Sequence, residues 1–152
     1  MRKKDLVKNA NFQVALKIVL KNRQGEILGL KMPDTSAMEG YYDLPGGRIK
    51  ENEIKVNFRK VIKREIKEEL GNLVKYRLRE VPVAISRYLP YPNRHYMFWI
   101  FFEADYIGGD IKISPEHTEY RWLNLNKKNL KKYFTIGALD GMNNYFLKKF
   151  AI

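Results

Sequence analysis

The 152-residue chain contains no cysteine, which removes a disulfide framework, a thiolate zinc site and a cysteine nucleophile in one step. Long apolar runs are missing as well. The longest, Tyr96 to Phe102, is seven residues, whereas a membrane-crossing helix needs about 20. No apolar stretch of the signal-peptide kind follows the basic start Met1-Arg-Lys-Lys-Asp5, so the sequence reads as soluble and cytoplasmic, with no membrane partner. Acids are few. Against 29 lysines and arginines stand 17 aspartates and glutamates, a net charge of +12. Such a field favours anionic partners (nucleotides, polyphosphates, nucleic acid, acidic membrane surfaces) without choosing among them. Nineteen of the 29 bases are lysines, which resembles a solvated surface more than a set of dedicated two-pronged phosphate clamps.

What is present suits one globular domain over residues 1–152. Hydrophobic residues make up 45% and aromatics 13%, and a chain of this size hides roughly 68–70% of its extended surface on folding. No repeat or composition shift divides it. Strands are expected at Phe12–Leu20, Ile27–Lys31, Tyr41–Leu44, Val81–Leu89, His95–Tyr106, Ile111–Ile113 and Tyr120–Leu125. Pro45-Gly46-Gly47 should break into irregular backbone. Helices are expected at Val56–Leu70, with Gly71 just past its end, and at Asn126–Tyr133 and Ala138–Phe150. This order points to an α+β fold, a mixed sheet sandwiched between helices.

The helix Val56–Leu70 is the informative segment. At about 100° per residue, Phe58, Val61, Ile62 and Ile66 form one apolar stripe, and Lys60, Lys63 and Lys67 take the opposite side. Glu65 and Glu69 fall inside the apolar stripe and Glu68 on its edge. An unpaired buried carboxylate costs several kcal/mol, about enough to make it take up a proton instead. The i, i+3, i+4 spacing brings the three acids within reach of one point. Carboxylates gathered there stay ionised if a cation sits among them, and oxygen ligands without cysteine suit Mg²⁺ or Mn²⁺. The plainer alternative is a solvated acidic patch with Arg64 paired to Glu68. Gly46 and Gly47, upstream, allow a backbone to approach a metal or phosphate closely.

Gly47-x5-Glu53 followed by Arg64-Glu65-Ile66-Lys67-Glu68-Glu69-Leu70-Gly71 resembles the box of the Nudix hydrolase family (MutT-like), G-x5-E-x7-R-E-U-x-E-E-x-G-U, with the usual lead-in Asp43-Leu-Pro-Gly-Gly47. Two departures stand out. Ten residues, Ile54 to Lys63, separate Glu53 from Arg64 where the pattern has seven, and Asn72 replaces the final aliphatic. The three additional residues are expected to lengthen the loop before the helix, leaving the helix regular.

The resemblance implies a Nudix fold and an Mg²⁺- or Mn²⁺-dependent pyrophosphohydrolase. Its substrate would be a nucleoside diphosphate linked to another group: a nucleoside triphosphate, ADP-ribose or a nucleotide sugar. It also implies roles. Glu65, Glu68 and Glu69 would be metal ligands, with a carbonyl of Gly46 or Gly47. Arg64 would orient the glutamates and Glu53 would support the loop–helix geometry. Glu119, then Glu116, would supply a downstream carboxylate as ligand or base.

Weaker candidates are Arg48, Arg87, Tyr88 and Arg94 as phosphate or base contacts. His95 and His117 match no metal spacing. The pairs Lys127-Lys128, Lys131-Lys132 and Lys148-Lys149 read as solvated faces. Two other readings stay open: a catalytically silent nucleotide-sensing module of the same fold, and an RNA-directed, cap-processing protein. No nucleic-acid motif supports specific binding of RNA or DNA. The protein is expected to be a monomer or homodimer with a small nucleotide substrate.

Overall fold

The computed structural model describes residues 7–89 and 95–148. The expected loop at 90–93, Arg94, and the last residues of the expected final helix lie outside them.

Among the described residues, seven strands build one mixed sheet: β1 (Phe12–Lys21), β2 (Ile27–Lys31), β3 (Tyr42–Asp43), β4 (Gly46–Arg48), β5 (Lys75–Tyr88), β6 (Tyr96–Gly108) and β7 (Tyr120–Leu123). The path across the sheet is β3-β2-β1-β6-β5, with β4 on β1 and β7 on β2. β1 and β6 run parallel at the centre, from Phe12 opposite Tyr96 to Lys21 opposite Asp105. The other pairs are antiparallel. β1 buries both faces, so its near-continuous apolar run is what a central strand requires.

The two faces carry two cores. Leu16, Ile18 and Leu20 of β1 pack with Val61, Ile62, Ile66 and Leu70 of helix α1 (Phe58–Leu70). Ala15, Val19, Trp99 and Phe101 pack with Phe134, Ala138 and Met142, from the end of the short helix α2 (Leu130–Tyr133) and from α3 (Ile136–Leu147). Helices therefore cover the sheet on both sides, the α+β sandwich expected.

Several boundaries differ from expectation, each for a physical reason. Gly46–Arg48 is a strand, not irregular backbone, because Gly46, Gly47 and Arg48 pair with Lys17, Leu16 and Ala15 of β1. β5 begins at Lys75 instead of Val81. Its first half alternates Tyr76 and Leu78, packed toward α1, with exposed Lys75, Arg77 and Arg79, and a half-buried strand tolerates that pattern. Pro82 falls in a register shift of this edge strand, where a missing N–H costs little.

Ile111–Ile113 is not a strand. Ile111 and Ile113 pack into the α1 core, and the amides of Lys112 and Ser114 donate to the carbonyls of Leu70 and Glu69. Those carbonyls belong to the last turn of α1 and have no partner within the helix. α2 is shorter than expected because the Asn126 and Asn129 side chains hold the preceding residues in a turn, accepting from the amides of Lys128 and Asn126. α3 starts two residues before Ala138, and Lys148 just after it is left-handed.

α1 is regular over its whole length. Asn57 caps it, its side chain accepting from the Lys60 amide at 3.0 Å. A short 3-10 turn, Glu51–Glu53, lies between β4 and the helix. Phe58 departs from the expected stripe. It sits at the open N-terminal end, 41% exposed, with its ring edge against Phe102.

Candidate active site

Val61, Ile62, Ile66 and Leu70 drive α1 onto the sheet, and each such side chain contributes about 1.5–3 kcal/mol when buried. That outweighs the cost of drawing two acids into the same face. Glu65 and Glu69 are 6% and 7% exposed, as the helical period predicted. Burial, the dominant cause, pushes the Glu69 carboxyl up to about 8, opposed by the nearby Lys17 cation and by the Gly46 amide. Glu65 is raised for the same reason, with Arg64 pulling the other way.

The glycine strand lies directly against these acids. The Gly46 amide donates to Glu69 Oε2 at 2.7 Å. Gly46 has φ of +131°, and a side chain there would run into the Leu16 carbonyl of β1. A Cβ on Gly47 would stand 2.6–2.7 Å from the Glu65 carboxyl atoms. Only glycine leaves the Glu65 carboxylate its place. Two carboxylates beside bare backbone make an oxygen-only donor set, which fits a hard divalent cation.

Arg64 organises the rim. Its Nη2 and Nε grip both oxygens of Glu53, Nη1 donates to Glu65 Oε1 at 2.6 Å, and Nη2 reaches the Arg48 carbonyl at 3.3 Å. The two-pronged bond holds the Glu53 carboxyl down at about 2, helped by the Lys50 amide, and raises the guanidinium in turn. Glu68 lies on the edge of that face, where the helical repeat put it. Half exposed, it is drawn toward Arg64 Nη1 at 3.0 Å and Lys50 Nζ at 3.5 Å. The Arg64–Glu68 pairing of the plainer reading is thus present, but it coexists with two buried glutamates that a solvated patch does not explain. Among the described residues, no three acids or imidazoles already close on one point.

Other candidates scatter. Glu119 accepts from the Tyr42 hydroxyl at 2.9 Å, which lowers its pKa, and lies near Lys31 and Arg121. Its loop is tied to the box helix by the Ser114 amide on the Glu69 carbonyl. Glu116 is exposed in the same loop. Arg48 donates to Gln13 Oε1 at 2.9 Å on the α3 side of the sheet. Tyr88 lies on that side too, its ring edge-on to Trp99. Arg87, the next residue along the strand, faces the α1 side opposite Phe98. Arg87 and Tyr88 therefore do not line one pocket. His95 is exposed, and His117 is buried with Nδ1 unpartnered and its pKa lowered by burial.

A further buried pair, Lys17 with Asp43, lies beside the site. Lys17 Nζ meets Asp43 Oδ2 at 2.7 Å, both side chains nearly buried, with the ammonium 4.4 Å from the Trp99 ring centroid. Lys17 stands opposite Gly46, which sets its charge beside the Glu69 site. A lysine inside the apolar run FQVALKIVL was the available signal.

The box geometry agrees with a match over most of the chain: residues 11–138 fit the NUDIX domain. The chain belongs to the NUDIX domain family. Solved structures of similar NUDIX architecture include a MutT protein from Methanosarcina mazei, with 22% identity and a TM-score of 0.69 over 93% of this chain and 95% of that one. A NUDIX hydrolase from Nitrosomonas europaea has 19% identity and a TM-score of 0.68 over 93% and 73%. An ADP-ribose pyrophosphatase from Streptococcus suis has 15% identity and a TM-score of 0.60 over 91% and 89%. At such identities the likeness speaks for the fold. Curated proteins gave no match. Among the described residues no helix is long and apolar enough to cross a membrane.

Proposed function

We propose that this NUDIX protein is a pyrophosphohydrolase that cleaves the diphosphate of a nucleoside diphosphate linked to another moiety. The carrying observation is the pair Glu65 and Glu69, both under a tenth exposed, facing the Gly46–Gly47 backbone from one side of α1. Glu65 and Glu69 would hold Mg²⁺ or Mn²⁺ with a carbonyl of Gly46 or Gly47, and Glu68 would join from the rim, directly or through water. When bound, the cation offsets diphosphate charge and lowers the pKa of water.

The chain's own residues do the rest. Arg64, clamped by Glu53, holds Glu65 in one orientation, so little reorganisation is needed when substrate arrives. Glu119, kept ionised by Tyr42 and its basic neighbours, is our first choice to accept the proton of the attacking water, and Glu116 the second. The water oxygen bonds to phosphorus, the bridging P–O bond breaks, and two phosphate-bearing products leave. Arg48 and Tyr88, on the α3 side of the sheet, are the proposed contacts to the rest of the nucleotide.

The neighbour named an ADP-ribose pyrophosphatase supports a linked-diphosphate substrate of this class. The test is a panel of nucleoside triphosphates, ADP-ribose, nucleotide sugars and dinucleoside polyphosphates, assayed with Mg²⁺ for phosphate or mononucleotide release. Turnover of one class above the rest is expected, and no turnover of any would overturn the reading.

A further inference from the structure

The strands of the central sheet end at different heights. β1 turns away at Asn22–Gly25, whereas β6 continues to Gly108, paired with β5 back to Lys75. The step between them is an open cleft of about 590 Å³. Its cations come from three elements: Lys21 at the end of β1, Arg23 in the turn, and Arg77 and Arg79 on β5. A smaller hollow of about 250 Å³ adjoins it, sharing Asn22, Arg23, Tyr106 and Ile107, and is lined also by Gln24 and Trp122. The Tyr106 and Trp122 rings lie 5.2 Å apart there, on the α1 face of the sheet. Lys21, Arg77 and Arg79 stand on the α3 face, so the two hollows meet around the end of β1.

Two acids sit among these cations, and they act as anchors. Lys21, Asp105 and Arg77 stand in one cross-strand row over β1, β6 and β5. Asp105 accepts from Arg77 at 3.0 Å and from Arg79 at 3.4 Å. Glu103 takes Arg79 Nε at 3.2 Å and Lys21 at 3.8 Å, and is itself held by the Tyr145 hydroxyl of α3. Each guanidinium carries five N–H donors and spends only one or two on these carboxylates. The remainder face outward from side chains that are already oriented, with four positive charges against two negative. The Arg77–Asp105 pair is exposed and adds little stability, so the fold alone gives weak reason for a second arginine beside Arg79.

We propose that this cleft docks a single-stranded nucleic acid, the Arg77–Arg79–Lys21–Arg23 group taking successive phosphates and Tyr106 with Trp122 offering ring surface to a base. Alternate residues on a strand stand about 6.8 Å apart, which suits a backbone whose charges recur once per nucleotide. The rings and the Gln24 amide favour a strand with unpaired bases over a simple inorganic anion. The docking uses none of the residues assigned to the hydrolytic site, and the proposal stands or falls separately from that activity.

The test is fluorescence anisotropy of a labelled single-stranded oligonucleotide about twelve nucleotides long, titrated with the full chain. Four phosphate contacts predict that affinity falls roughly 50-fold between 50 and 200 mM salt. Arg77→Gln with Arg79→Gln should weaken binding at least about tenfold and reduce that salt response to roughly sevenfold. Arg23→Gln, in the turn and away from the acid anchors, should weaken binding in the same direction. A melting temperature within a few degrees of the parent confirms that each variant is folded. Unchanged affinity in the folded variants overturns the proposal. So does a parent protein that binds no oligonucleotide at low salt, or one that binds a duplex of the same length, or inorganic tripolyphosphate at equal phosphate concentration, as tightly as the single strand.

Discussion

Gly46 and Glu69, 23 residues apart in the chain, meet through a 2.7 Å hydrogen bond from backbone amide to carboxylate. That one contact joins the glycine strand to the helix of the NUDIX box. It also puts a buried acid beside bare backbone, where the proposed divalent ion would keep it ionised.

Its pH dependence follows. The Glu69 carboxyl is raised from its ordinary 4.5 to about 8. The folded protein therefore binds this proton more tightly than the unfolded chain. The stability it carries is fully present below about pH 4.5 and is lost as pH rises through about 8, by up to about 1.4 kcal/mol per pH unit. Glu69→Gln should flatten this slope in metal-free protein and leave it as stable or more stable at pH 8, because the amide oxygen can still accept from Gly46. Urea unfolding across that range measures it. The same variant should lose several orders of magnitude in kcat. Clear destabilisation at every pH would show the acid to be a structural ion-pair member instead.

Chelation should abolish hydrolysis and Mg²⁺ or Mn²⁺ should restore it, since Glu65 and Glu69 have no sufficient charge balance of their own. Full turnover in excess EDTA would remove the metal from the mechanism.

Gly47→Ala places a methyl 2.6–2.7 Å from the Glu65 carboxyl atoms. The carboxylate must give way, and a displacement near 1 Å at a reacting centre costs on the order of 100-fold in rate. Activity should fall on that scale while far-UV circular dichroism stays unchanged. Parent-like kcat would mean that Glu65 tolerates movement.

Arg64→Lys keeps the charge but not the two-pronged grip on Glu53. The Glu53 carboxyl, now near 2, should climb toward its ordinary 4.5, followed by carboxyl NMR. Its depressed value contributes stability present above about 4.5 and lost as pH falls to about 2, so the parent's advantage over the variant should be full near neutral pH and vanish as pH falls to about 2. A Glu53 titration unmoved by the substitution would dismiss the clamp.

Lys17→Met strips the partner from buried Asp43 and should destabilise the fold by about 3–5 kcal/mol. Lys17→Met combined with Asp43→Asn should recover much of that loss, because no uncompensated charge remains inside. Additive losses in thermal unfolding would show that the two residues act independently.

The chain by itself determined whatever is local. Glu65 and Glu69 could be placed on the buried face of α1 because the helical repeat fixes direction within a few residues. β2 could be bounded at Ile27–Lys31 from a turn and an apolar run. Only the tertiary structure decided contacts that depend on where separate strands lie. Lys17 finds Asp43 across 26 residues through β1 and the β3–β4 connection, which no periodicity announces. Ile111 and Ile113 alternate like a strand, yet the amides around them turn to the open carbonyls of α1. Arg87 and Tyr88, adjacent in sequence, are sent to opposite faces of the sheet. Glu68 leaves its two neighbours because Lys50, brought up by the 3-10 turn, competes for it at 3.5 Å. Short-range geometry is written into residue spacing, whereas the partner of a charge is settled by packing between distant segments.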